Sequence, residues 1–110
     1  YTFAGISEIH PHTLEEIAVP VAIIDVREPD EYVGPLGHIR DAKLIPLGQL
    51  TQRLEEIPKD RPLVMVCRSG ARSAQATVLL QRSGFSQVAN LNGGMLRWRS
   101  QQFAVEGASE

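Results

Sequence analysis

The sequence predicts an α/β fold: an open, mostly parallel sheet of five strands with helices on both faces, in a single domain spanning residues 1–110. Three observations predict it. Short apolar runs alternate with segments of helical composition along the whole chain. Two of the runs, 21–26 and 63–67, are almost unbroken, as in strands covered on both faces. A length of 110 residues is that of one domain, with enough chain to bury a core unaided.

The elements follow in order. Ile6–Ile9 reads as a short edge strand, and 12–17 as a short helix with Thr13 near its cap. The run Val21-Ala22-Ile23-Ile24-Asp25-Val26 is a buried strand carrying one acid. Pro29 suits a first helical turn, so Pro29–Tyr32 is a short helix. Residues 43–45 form a short strand stopped by Pro46. Leu47, Leu50, Leu54 and Ile57, spaced three, four and three apart, predict one face of an amphipathic helix ended by Pro58. Residues 63–67 are the strongest strand in the chain. Ala71–Arg82 is helical in composition, with Gly84 as its stop and Phe85 placed to pack back on it. Val88–Leu91 is the last strand, and Gly93-Gly94 leads into a helix bearing Met95, Leu96 and Trp98. Parallel neighbours in such a chain need right-handed crossovers.

Composition narrows the function. Hydrophobic residues are 43% and charged residues 22%, as in an ordinary globular domain, and no apolar run is long enough to span a membrane. One cysteine, Cys67, excludes an intramolecular disulfide and any zinc site built on several thiolates. His10, His12 and His38 make no metal motif, so neither a metal nor a cofactor is expected. The net charge of −2 divides into −6 over residues 1–60 and +4 over 61–110. The basic half holds Cys67. Its six arginines are too dispersed for a nucleic-acid footprint and suit a small anion instead. The chain starts at Tyr1 rather than Met, as expected of a processed chain or of a domain excised from a longer protein. The expected compartment is the cytoplasm, although a removed signal peptide would leave no trace.

In open α/β sheets, ligands sit beyond the carboxyl ends of the strands. Cys67 lies there, followed by Arg68-Ser69-Gly70-Ala71-Arg72-Ser73 and then a helix. A strand, a turn of small residues and a helix N-terminus make an anion cradle of backbone N–H groups. Here they would converge on the Cys67 sulfur. A free thiol ionises near pH 8.5, and a helix N-terminus is worth about one pH unit of that. With two arginines and a ring of amides added, the expectation is a thiolate at neutral pH. A lone cysteine in a small α/β domain is ordinarily a buried small hydrophobe. Its place at a strand end, beside small residues and arginines, reverses that reading. A Cys–His pair is not expected, because nothing places His38 beside Cys67.

These residues resemble the rhodanese family of sulfurtransferase domains over nearly the whole chain. Asp25-Val26-Arg27-Glu28-Pro29-Asp30-Glu31-Tyr32 is similar to an early family signature, and Gly37-His38-Ile39 with Ala42 and Ile45-Pro46 to a second. The segment from Cys67 to Ser73 is similar to the active-site loop, and Gly93-Gly94-Met95 with Trp98 to a C-terminal signature. Asp41 stands before Ala42 where the family usually has glycine, a local departure. The resemblance implies a five-stranded parallel sheet and a ping-pong reaction. Cys67 would take the outer sulfur of thiosulfate, release sulfite, and hand the sulfur from a persulfide to cyanide, a thiol or a protein acceptor. The amides from Arg68 through Ser69, Gly70, Ala71 and Arg72 to Ser73 would cradle that persulfide, and Arg68 and Arg72 would bind the anionic donor. No nucleic acid or membrane partner is implied. The spacing Cys67 to Arg72 is Cys-x4-Arg, similar to sulfur-handling members rather than to phosphatase-like or arsenate-reducing relatives with a longer loop.

The other signature residues read as structural. Asp25 and Arg27 are a charge pair, Glu31 and Tyr32 packing or hydrogen-bonding partners, His38 a turn brace, and Trp98 a core or rim aromatic. Arg97 and Arg99 read as solvated, and Glu8, Glu15 and Glu16 as a wet face. Two alternatives stand beside the sulfurtransferase: a persulfide-delivery or non-catalytic module of a larger protein, and, disfavoured by the short loop, a phosphatase or arsenate reductase.

Overall fold

The computed structural model describes residues 2–3 and 6–108. The strands are β1 (Thr2–Phe3), β2 (Ile6–Ile9), β3 (Ala22–Asp25), β4 (Lys43–Leu44), β5 (Leu63–Val66) and β6 (Val88–Leu91). The helices are α1 (Pro11–Glu16), α2 (Pro29–Tyr32), α3 (Ala71–Arg82) and α4 (Gly94–Ser100), with two 3₁₀ turns at Leu47–Gln49 and Thr51–Glu56. The sheet order is β1-β2-β6-β5-β3-β4. The five strands from β2 to β4 are all parallel, as the sequence predicts. β1, which no pattern announced, adds an antiparallel strand outside β2. β2 is therefore the edge of the parallel set but not of the sheet.

β5 lies between β3 and β6, and all four of its residues are buried. Its alternation sorts the core into two layers. Leu63, Met65 and Cys67 face one side with Ile24, Leu50, Ala76, Leu80 and Phe85, beneath α3 and the 3₁₀ turns. Val64 and Val66 face the other with Leu14, Leu91, Met95 and Trp98, beneath α1 and α4.

Local chemistry explains most element ends. α3 runs over Ala71–Arg82 as predicted, and Gly84 leaves it at φ +97°. The Phe85 N–H then returns to Leu80 O at 3.0 Å, which sets the buried Phe85 ring into the same core layer. Two readings need correction. α1 starts one turn earlier than its predicted cap. His10 is the extended N-cap and Pro11 the first helical residue, so Thr13 lies inside the helix and caps nothing. The segment 47–57 is not one α-helix but two 3₁₀ segments, with a break inside the second at Arg53 (φ −123°, ψ 25°). The three-residue steps from Leu47 to Leu50 and from Leu54 to Ile57 suit 3₁₀ geometry, in which i and i+3 align. The four-residue step spans the break, and the apolar face still reaches the core. Among the described residues no helix is long and apolar enough to cross a membrane.

The ends of three parallel strands meet at one edge. Val26 N–H bonds Val66 O at 2.8 Å and Ile45 N–H bonds Asp25 O at 2.9 Å. Cys67 follows directly.

Candidate active site

Cys67 leaves β5 with its residue surface only 1% exposed. The chain then turns through Arg68, Ser69 and Gly70 into the first turn of α3, whose N-cap Gly70 has a left-handed backbone. The Gly70 N–H donates to Cys67 Sγ at 3.0 Å. The sequence reading expected a ring of amides on the sulfur. Among the described residues Gly70 supplies the only backbone N–H to it. Arg68, Ser69 and Ala71 are exposed on the rim, while Ser73 is fully buried beneath it.

Ser73 Oγ lies 3.3 Å from Cys67 Sγ and also donates to Asn90 Oδ1. Asn90 Nδ2 donates to Glu8 Oε2 at 2.8 Å and to Gly70 O at 3.3 Å, and Asn92 Nδ2 donates to Glu8 Oε1 at 2.8 Å. Glu8, read from sequence as part of a wet face, thus belongs to the floor of the site. It borders an open hollow of about 410 Å³ together with Gly70, Ala71, Asn90, Asn92 and Gly93. A signal for Asn90 was present: it is the one polar residue inside the apolar run Val88–Leu91. Glu8 carried none, because its partner is chosen by strand register, Glu8 opposite Asn90.

The two arginines of the loop differ. Arg68 is exposed and forms no ion pair among the described residues. Arg72 makes a bidentate pair with Glu31, at 2.7 and 2.8 Å. The Arg72 hydrogen bonds bring the Glu31 carboxyl down to about 2, against the opposing effect of burial. Glu31 also closes the capping box of α2 through the Glu28 N–H. α2 is thereby clamped to the loop across the mouth of the site.

Behind this clamp lies the Asp25–Arg27 pair, both residues at most 1% exposed. Arg27 donates to both Asp25 oxygens, to Glu31 O at 3.1 Å and to Gly37 O at 2.6 Å. It is a buried strut holding the end of β3 to α2, as the structural reading has it. Tyr32 donates its hydroxyl to Ala42 O and stacks on His38 at 3.8 Å between ring centres. Burial, and then the Asp25 charge, push the Tyr32 phenol up. His38 Nδ1 sits 3.0 Å from Tyr32 O, and the His38 backbone pairs with Glu106. His38 braces this corner and makes no bond to Cys67. Trp98 is a core aromatic, 3% exposed, donating to Ala104 O at 2.9 Å.

The loop is held from above by α4. Met95 N–H donates to Cys67 O and Leu96 N–H to Arg68 O, each at 2.9 Å. This contact requires glycine at 94. A Cβ there would stand 2.5 Å from Cys67 O and 2.6 Å from Arg68 O. The first turn of α4 thus fixes the carbonyls of 67 and 68, and with them the N–H groups of Arg68 and Ser69 on the opposite edges of the same peptide planes.

A parallel α/β sheet that delivers a cysteine to its carboxyl edge, directly before a helix N-terminus, places that cysteine where open α/β sheets take their ligands. Comparison with known proteins narrows this to one family. The rhodanese-like domain matches residues 11–101, and the chain belongs to that family. It is 45% identical over 78 residues to a sulfurtransferase of Allochromatium vinosum, covering 71% of each chain. It is 34% identical over 99 residues to the thiosulfate sulfurtransferase GlpE of Pseudomonas paraeruginosa, covering 90% of this chain and 86% of that one. The rhodanese-like domain protein of Staphylococcus aureus has a solved structure that superimposes with a TM-score of 0.79 at 30% identity, over 92% of this chain and 99% of that one. The chain spans 59% of another relative, the uncharacterized protein YqhL of Bacillus subtilis, with 45% identity over 76 residues.

Proposed function

We propose that the chain is a sulfurtransferase that carries sulfane sulfur on Cys67. The observation that supports this best is the placement of Cys67 Sγ, 3.0 Å from the Gly70 N–H at the head of α3, with exposed Arg68 on the rim. In the proposed reaction the Cys67 thiolate attacks the outer sulfur of thiosulfate or a related donor. The new S–S bond forms as the donor's own S–S bond breaks, and sulfite leaves with the bonding pair. The anionic persulfide is then held at the α3 N-terminus, beside the Gly70 N–H. Cyanide or a thiolate acceptor takes the outer sulfur and returns Cys67 as thiolate. Arg68 offers the donor's sulfonate an uncommitted guanidinium. Arg72 contributes its charge and the donors that Glu31 leaves free. Family membership and the relative named a thiosulfate sulfurtransferase support the reading.

The test is intact mass after brief incubation with thiosulfate, then cyanide. The native chain gains one sulfur atom and loses it to thiocyanate, whereas Cys67→Ser gains none. A gain that persists in Cys67→Ser refutes the assignment. A second reading, delivery to one protein acceptor, is favoured by the burial of Cys67 at 1% exposure. It predicts slow turnover with small thiols beside fast transfer to that acceptor.

A further inference from the structure

The hydrogen bonds beneath Cys67 have a direction, and one carboxylate sets it. As a carboxylate Glu8 accepts and cannot donate. Both its oxygens are occupied, by Asn90 Nδ2 and Asn92 Nδ2 at 2.8 Å each. The Asn90 amide nitrogen must therefore face Glu8, and its second N–H reaches Gly70 O at 3.3 Å. Asn90 Oδ1 is left facing Ser73. That oxygen carries no proton, so the single proton of the Ser73 hydroxyl goes to it. Ser73 then presents a lone pair, not a proton, to Cys67 Sγ at 3.3 Å. A thiol donates to that lone pair. A thiolate is met by it.

We propose that Glu8, acting through Asn90, is a positioning residue that holds the Ser73 proton away from Cys67 and so restrains ionisation of the thiol. This rests on Cys67 being the reactive sulfur of the transfer described above. When Cys67 loses its proton to solvent or to an incoming base, Ser73 can donate to the sulfur only by breaking its bond to Asn90 Oδ1. Ser73 and Asn90 are 0% and 2% exposed, so no water replaces that bond at no cost. The restraint opposes the Gly70 N–H and the α3 N-terminus, which favour the anion. The other charged groups around Cys67 are Arg72 on α3, tied to Glu31 on α2, then Arg68 on the loop, and the Asp25–Arg27 pair at the end of β3. None of them donates a hydrogen bond to the sulfur, and none orients Ser73.

The experiment is the pH profile of iodoacetamide alkylation, read by intact mass. The single cysteine makes every adduct a Cys67 adduct. Asn90→Ala releases the Ser73 proton, and the midpoint moves to lower pH, with a gain in thiolate of about fivefold, the net worth of one hydrogen bond. Glu8→Gln lets the Asn90 amide turn over, and the midpoint moves the same way by less. In a Ser73→Ala background Glu8→Gln has no effect. A midpoint that stays or rises in both single variants overturns the proposal. So does a Glu8→Gln shift that survives in Ser73→Ala, because that effect is carried by charge rather than by the Ser73 proton. Should Asn90→Ala fail to fold by circular dichroism, the half-exposed Glu8→Gln and its Ser73→Ala double decide alone. Alkylation needs no sulfur donor. A chain that shows these shifts but takes no sulfur from thiosulfate loses the transfer reading and keeps this one.

Discussion

Gly94→Ala tests how the N-terminus of α4 holds the loop of Cys67. Gly94 has φ +57°, and an alanine there bears the left-handed penalty of about 1 kcal/mol. Its Cβ would meet Cys67 O at 2.5 Å, Arg68 O at 2.6 Å and Arg68 C at 2.7 Å. All three are backbone atoms, so no side chain can swing aside. Restoring ordinary contact with Cys67 O needs an opening of roughly 0.9 Å, which stretches the two 2.9 Å bonds from Met95 and Leu96 beyond hydrogen-bond reach. Their loss costs about 1 kcal/mol each, for a total near 3 kcal/mol. For a 110-residue chain, with an unfolding entropy of about 2.1 cal/mol/K per residue, that lowers Tm by about 13 °C. The assay is a reversible thermal melt beside two controls. Gly84→Ala has a positive φ of +97° but nothing within 4 Å of its new Cβ, and falls by only about 4 °C. Gly48→Ala has neither feature and melts at or slightly above the native Tm, because alanine narrows the unfolded ensemble. Sulfur loading at 25 °C falls in Gly94→Ala alone, since only there do the carbonyls of 67 and 68 move. If Gly94→Ala melts within about 2 °C of Gly84→Ala, the close approach of α4 carries no energy and the reasoning fails.

Two further outcomes follow from the ion pairs. Asp25→Asn leaves Arg27 buried without its counter-charge and costs about 3–5 kcal/mol in urea denaturation; a loss below about 1 kcal/mol would show that water reaches the strut. Glu31→Gln removes a pair whose carboxyl is held near 2, below its ordinary 4.5. Because the folded value is the lower one, the pair's contribution is complete above the ordinary value and disappears as pH falls from 4.5 through 2. The Arg72 side chain is 35% exposed, so solvent screening reduces the contribution to about 1 kcal/mol. The gap between native and Glu31→Gln stability is therefore widest at neutral pH and closes toward pH 2. A gap that widens on acidification contradicts the assignment.

The apolar runs, the limits of α3, the stop at Gly84 and the place of Cys67 were all readable in the chain. Each depends on neighbours a few residues away: alternation on strands, spacing on helices, a glycine where φ turns positive. The same local reading failed at 47–57, where three-residue steps suit an α-helix and a 3₁₀ turn alike. It failed at β1, too short to show a pattern.

What the sequence by itself determined about this protein is therefore a parallel sheet, its order of elements, and a cysteine delivered to the carboxyl edge before a helix. Only the tertiary structure decided what surrounds that cysteine. Arg72 meets Glu31 from 41 residues away, and Asn90 meets Glu8 from 82. Glycine at 94 matters because of a backbone 26 positions earlier, at Arg68. These partners are set by strand register and by how closely two elements approach. Those are long-range results of burying one core, which no window along the chain contains.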